Sequence, residues 1–457
     1  MSYHDFLSSK RISSVRSGFE STARNPKLFD WQADITQWLL KVGRGGQFSD
    51  CGTGKTATEL EFSRQVANHT GMPVLILCPL CVAAQTKREG VKFGVDVNIC
   101  RSSRDVVKGV NIANYEMLEH FTASAFGGVV LDESSILKAY MGKTKRALVD
   151  AFRDVPFKFV ASATPSPNDQ MELLNQAEYL GIMKSSEALS IWFIADQQQS
   201  GKYRLKGHAE ADFWNWVSSW AVCFEKPSDL GYSDDGFYMP ELFEKDVVVD
   251  VDIFNDDLTR GMFRDIETSA TGFFAEKRKT LDARVKKCAE IAMSTNEQYM
   301  IWVNTNEEAD AITAAIPEVV EVRGSDTAES KEQAALDFID GKTRVLCSKA
   351  SMFGYGLNMQ NCHNVIFCGL DYSYENYYQA VRRFYRFGQL KPVTVDRVIG
   401  ATEKHIIETI ERKSKQKQRM SEQMRIAISR PLREREHFAM NFQPQRVALP
   451  GWLRSEA

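Results

Sequence analysis

The sequence predicts an α/β protein built as two parallel-sheet lobes. Three observations lead there. In the first half, short apolar runs such as Val74–Cys78, Gly128–Asp132 and Phe157–Ser162 alternate with helical stretches. Runs of this kind suit strands buried on both faces, as in sheets with helical crossovers. The rhythm returns at Tyr299–Val303, 315–322, 344–348 and Asn364–Cys368, after a stretch that lacks it. Finally, 457 residues exceed a usual single core, so two or three domains are expected.

The chain divides accordingly. Residues 1–25 read as a polar N-terminal extension and 26–183 as the first lobe. Residues 184–245 read as a mostly helical insertion, 246–279 as a connector that opens with a strand at 247–252, and 280–410 as the second lobe. The insertion holds Trp192, Trp214, Trp216 and Trp220. Phe213, Trp216, Val217 and Trp220 recur at helical spacing, which points to an aromatic core; a stacking platform for bases is the alternative. Residues 411–457 form a basic tail, with 11 Lys and Arg against 5 Glu. Such a tail is either a solvated helix or a contact for a nucleic-acid backbone.

Composition excludes little. Hydrophobic residues make up 43% and charged residues 26%, ordinary for a globular chain. The formal net charge of −3 shows no global preference for nucleic acid, so any such surface is local. No segment has the length and apolarity of a transmembrane helix. The start of the chain lacks a signal-peptide core. Nine scattered cysteines, an odd number, read as buried thiols in a reducing compartment. Cys78 and Cys81 form a CxxC, but no second pair accompanies it to complete a zinc site.

The chemistry lies in short motifs. Gly52, Thr53, Gly54, Lys55 and Thr56 spell a phosphate-binding loop ahead of a helical stretch. Glycines let backbone N–H groups approach phosphate, Lys55 reaches the β/γ oxygens and Thr56 binds Mg²⁺. Ser49 stands where the general pattern has glycine. Asp132 and Glu133 end an apolar strand, at the sheet edge where ligands bind in open α/β folds. Asp132 is positioned to hold Mg²⁺ through water, and Glu133 to orient and deprotonate an attacking water. Ser162 and Thr164, in the sequence SATP, close the next strand. Gln32, upstream, carries an amide able to pair with adenine.

In the second half, a glycine-rich loop containing Gly356 precedes Gln379, Arg383 and Arg386 in the segment QAVRRFYRFGQ. Arg383 and Arg386 are three apart, so one helical turn is expected to carry both on one face. Arginine is always charged and bidentate toward phosphate. More than 300 residues separate these arginines from the phosphate loop, which points to two lobes closing on one nucleotide.

The ordered set LFDWQ, GTGKT, ILCPL, ANYE, LDES, SATP, GYGLNMQ and QAVRRFYRFGQ resembles the superfamily 2 helicases. The last two motifs look most like its Snf-type DNA translocase branch, in a compact form of the kind phages or mobile elements carry. The likeness spans about 26–180 and 280–395. Ser134 and Ser135 depart from the usual end of the acidic motif. The resemblance implies two RecA-like lobes with ATP and Mg²⁺ between them and nucleic acid across both. It implies adenine recognition by Gln32, phosphate binding by Lys55 and Thr56, and metal and water activation by Asp132 and Glu133. It also implies a finger role for Arg383 and Arg386, with coupling by Ser162, Thr164, Gly356 and Gln379. The expected activity is nucleic-acid-stimulated ATP hydrolysis by a monomeric motor, with DNA favoured over RNA as partner. The expected location is the cytoplasm of a prokaryotic or phage-infected cell, or the nucleus in a eukaryote. A nucleic-acid clamp with a vestigial nucleotide site is the alternative, and a P-loop enzyme on a small molecule is the third reading.

Overall fold

The computed structural model describes residues 17–79, 82–138, 142–166, 169–195, 203–249, 277–350 and 358–428. Gly356 and most of the tail, like the extension through residue 16, lie outside the described residues.

The first lobe opens with α1 (Asp30–Val42), β1 (Arg44–Ser49), α2 (Lys55–Thr70), β2 (Val74–Cys78) and α3 (Ala83–Phe93). It continues with β3 (Val97–Ile99), β4 (Val110–Asn114), β5 (Gly128–Asp132), α4 (Lys143–Ala151), β6 (Phe157–Ser162) and α5 (Glu172–Leu180). Then come α6 (Ser185–Trp192), β7 (Phe193–Ala195), β8 (Tyr203–Leu205), α7 (Glu210–Ser218), β9 (Ala221–Phe224) and β10 (Leu242–Val249). The second lobe adds α8 (Leu281–Ala292), β11 (Tyr299–Val303), α9 (Asn306–Ala315), β12 (Val319–Val322), α10 (Ala328–Ile339) and β13 (Val345–Lys349). It ends with β14 (Asn364–Cys368), α11 (Tyr374–Val381), β15 (Val393–Gly400) and α12 (Lys404–Ile428).

Two parallel sheets form, as the apolar runs predict. The first has 7 strands in the order β3-β4-β2-β5-β6-β1-β9, and the second 6 in the order β10-β15-β14-β11-β13-β12. Every residue of β2, β5, β6 and β11 is buried, the burial that helices on both faces impose. Strands β5, β6 and β1 are neighbours, so the segments leaving their carboxyl ends converge at one edge.

The stretch 184–245 is helical in α6 and α7 and holds a separate antiparallel pair, β7 with β8, while its later strands join the lobes. β9 pairs in parallel with β1, and β10 pairs in parallel with β15. The region therefore finishes the first sheet and starts the second. Trp192, Trp214, Trp216 and Trp220 are buried in the first lobe's core, with Trp192 stacked on Trp216 at 4.6 Å. Packing, rather than a base platform, is their use. The strand expected at 315–322 is confined to Val319–Val322, because α9 runs to Ala315.

The lobes touch directly. Lys138 of the first pairs with Glu375 of the second at 2.7 Å, and Gln85 Oε1 accepts the Asn358 amide at 3.1 Å. α12 runs back from the second lobe to pack on α7 and β9, with Arg425 3.4 Å from Asp229. The eight described cysteines are buried and form no disulfide. No described helix is long and apolar enough to cross a membrane.

Candidate nucleotide site between the lobes

The phosphate loop leaves β1 and turns into α2. Gly52 and Gly54 take positive φ values of 86° and 80°. A Cβ on Gly54 would lie 2.1 Å from Gln32 Nε2, and one on Gly52 would lie 2.7 Å from the Phe387 nitrogen of the second lobe. Glycine is required at both points by backbone conformation and by close approach. Lys55 opens α2, so its backbone and the helix dipole face the same space. Its ammonium donates to the carbonyls of Ser49 and Asp50 at 2.9 and 3.1 Å. The Thr53 hydroxyl donates to the Asp50 carbonyl at 2.7 Å and lies 2.7 Å from Ser49 Oγ.

Gln32 sits beneath this loop. Its Oε1 accepts the Phe29 amide at 3.1 Å, and its Nε2 donates to the Thr53 carbonyl at 3.3 Å. Both ends of the side chain thus hold backbone on either side of the cavity.

Asp132 is the last residue of β5, and Glu133 follows it. Glu133 is the one non-glycine residue with positive φ, 54°, among the described residues. Such a conformation costs on the order of 1–3 kcal/mol and is commonly stored at functional sites. Ser162 Oγ donates to Glu133 Oε2 at 3.3 Å. Burial, and then the neighbouring Glu133, push the Asp132 carboxyl up to about 7, while Lys55 pulls against them. Two buried carboxylates side by side carry this penalty until a cation joins them.

The second lobe supplies arginines, in a geometry the spacing does not predict. α11 ends at Val381, and Arg383 and Arg386 lie in the turns beyond it rather than on one helical face. The amides of Arg383 and Phe384 bond three residues back, to Ala380 and Val381, and Phe384 is fully buried in the second core. Burying that ring takes the chain off the helical path. Even so, Arg383 and Arg386 line the same cavity of about 380 Å³ as Gln32, Lys55, Thr56, Asp132 and Glu133. Arg386 Nε is buried with no hydrogen-bond partner in the described structure. A buried guanidinium N–H without an acceptor, beside a loop of backbone donors and a lysine, fits an anion such as a phosphate.

Gln379 joins the halves. It accepts from Arg383 Nη2 at 3.0 Å and donates to Thr164 Oγ1 at 3.3 Å. The Thr164 amide donates to Ser162 Oγ at 3.0 Å. Ser162, Thr164 and Gln379 thus stand in one path from Glu133 to Arg383.

Several residues at this site escape motif reading. Asp50 pairs with Arg382 at 2.6 Å across the lobes. Phe387 stacks against Phe237 at 5.1 Å, and both line the cavity with Phe29. Opposite charges in the two phosphate-facing segments were the available signal for Asp50 and Arg382. Nothing in the sequence marks Phe237.

Comparison with known proteins agrees with this geometry. Residues 281–388 match the family model described as helicase conserved C-terminal domain. No curated protein matches the chain. Among solved structures, the chain is similar to one described as "ATP-dependent Type ISP restriction-modification enzyme LlaBIII bound to DNA". The TM-score is 0.52 at 16% identity, over 86% of this chain and 30% of that one. The chain therefore spans under a third of that enzyme, and the likeness is one of fold. Residues 281–388 are thus similar to a helicase conserved C-terminal domain, within a fold of two parallel-sheet lobes.

Proposed function

We propose that this chain is an ATP-dependent DNA translocase or helicase, of the Snf-type branch and compact in form, working as a monomer. One observation carries the reading. Lys55, Asp132 and Glu133 of the first lobe share a cavity with Arg383 and Arg386 of the second. A site divided in this way is complete only while the lobes are together.

ATP is the substrate in this reading. Lys55 exchanges the carbonyls of Ser49 and Asp50 for β/γ-phosphate oxygens. Thr56 and Asp132 would hold Mg²⁺, which would supply charge neutralisation when bound. Glu133, kept in place by its backbone and by Ser162, orients the attacking water and takes its proton. Arg383 and Arg386 offset the charge that develops on the γ-phosphate. Loss of that phosphate weakens the hold on the arginines, and the lobes separate. Alternating grip on backbone phosphates moves the protein along a strand with little sequence preference. DNA is favoured over RNA by the branch resemblance and by the DNA-bound state of the similar enzyme.

The test pairs strand displacement on a forked duplex with triplex displacement on an intact one, each with and without ATP. ATP-dependent activity on either substrate supports movement along DNA, and triplex displacement alone identifies a duplex translocase. DNA binding without either activity sinks the motor and favours the clamp.

A further inference from the structure

Arg383 and Arg386 lie outside any helix, so helical geometry does not aim them. The residue beside them is anchored instead. Arg382 reaches across the lobes to Asp50, 2.6 Å away, and both side chains are largely buried. Its guanidinium lies over the rings of Tyr378 and Tyr385, at 5.1 and 4.8 Å. The Tyr378 hydroxyl donates to Asp50 Oδ1, and that oxygen also accepts the Cys51 amide at 2.7 Å. One carboxylate thus holds the start of the phosphate loop and the start of the arginine loop. Those loops are in contact, since a Cβ on Gly52 would lie 2.7 Å from the Phe387 nitrogen.

We propose that Asp50 and Arg382 are a positioning pair. Their contact sets the arginine loop against the phosphate loop and so aims Arg383 and Arg386 at the γ-phosphate. The proposal rests on the ATPase reading for its consequence, but the pair itself can be tested separately. Burial opposes the Arg382 charge, but Asp50 together with Tyr378, Cys51 and Tyr385 outweighs it, so the guanidinium pKa is raised. The Asp50 backbone carbonyl meanwhile accepts from Lys55. When Lys55 turns to phosphate, the Asp50 side chain still holds Arg382. Neither residue touches substrate in this scheme; both act through their neighbours.

The experiment is a double-mutant cycle with Asp50→Asn, Arg382→Gln and the pair of changes together, read in kcat and in KM for ATP. A misplacement of about 1 Å at a reacting centre can cost on the order of 10²-fold in rate. Each single change is expected to lower kcat about 10²-fold with KM little changed, and the double to be no worse than the worse single. Wild-type kcat in both singles overturns the pair, as does a loss confined to KM or a double that falls by the product of the singles. Hydrogen exchange provides a readout without turnover. In Arg382→Gln, the amides of 50–54 and of 383–388 are expected to exchange faster together, by about tenfold or more. If wild type does not hydrolyse ATP but the two loops loosen together, the ATPase reading fails and the pair stands. If wild type hydrolyses ATP, while the variant keeps its kcat and its protected loops, the pair alone is overturned. Should the charge variants fail to fold, Tyr378→Phe removes one hydroxyl from Asp50. A fall in kcat of about tenfold then supports the pair, and an unchanged kcat overturns it.

Discussion

Gln379 of the second lobe donates its side-chain amide to the Thr164 hydroxyl of the first, across 3.3 Å. The same Gln379 accepts from Arg383, and Thr164 leads through Ser162 to Glu133. An arginine on one lobe and a carboxylate on the other are thus joined by three side chains and one backbone amide. This path is open to test at its middle. Gln379→Ala is expected to lower kcat by at least about tenfold while ATP binding holds. The double variant with Thr164→Val is expected to be less than additive, because both changes cut one chain. Additive losses would show that the two residues act separately.

The arginines should matter for turnover more than for binding. Arg383→Ala and Arg386→Ala are each expected to lower kcat by about 10³-fold, the lower end for arginine fingers. Nucleotide affinity, measured by fluorescence titration, should change far less. Retained turnover in both variants would reduce the pair to structural cations.

Glu59 lies one helical turn beyond Lys55, fully buried, with no hydrogen-bond partner for either carboxyl oxygen in the described structure. Burial, and then Asp132, raise its pKa well above the ordinary carboxyl value, while Lys55 opposes them. The folded state therefore keeps a proton that the unfolded chain releases above about pH 4.3. Stability from this residue is full below that pH and is lost as pH rises toward the folded pKa. Glu59→Gln, which cannot ionise, is expected to raise Tm at pH 8 and to leave it near wild type at pH 4. An equal shift at both pH values would contradict the buried protonated carboxyl.

Trp216 is fully buried and contacts the rings of Trp192, Phe213 and Trp220 in the first lobe. Trp216→Ala is expected to cost about 3–5 kcal/mol in denaturant unfolding of that lobe. A change under about 1 kcal/mol would mean that the aromatic cluster is not a core and would reopen the base platform.

Much of this was legible in the sequence because burial on both faces of a parallel sheet writes itself as unbroken apolar runs. Strands β2, β5, β6, β11 and β14 were readable for that reason. β1 was not, because it reads Arg-Gly-Gly-Gln-Phe-Ser. A Cβ on its Gly45 would lie 2.9 Å from Leu39 Cδ2 and 3.0 Å from the Trp220 carbonyl, so close packing removes the apolar signature. β9 and β10 were placed outside the lobes because pairing with β1 and β15 depends on contacts distant in sequence. At the site, motifs carried the residue identities. The bend that takes Arg383 and Arg386 off the helix depends on burial of Phe384, which spacing does not encode. The Asp50–Arg382 contact spans more than 300 residues, so their opposite charges were visible in the sequence but their pairing was not.

Control by DNA of one hydrolytic site shared between the two lobes stands at the centre of the proposed function. It is tested most directly by the steady-state rate of ATP hydrolysis with and without duplex DNA, for wild type and Glu133→Gln side by side. The expected result is a wild-type rate that rises on adding DNA, and a Glu133→Gln variant that binds ATP but hydrolyses it at least about 10²-fold more slowly. Hydrolysis indifferent to DNA, or full activity in Glu133→Gln, would contradict it.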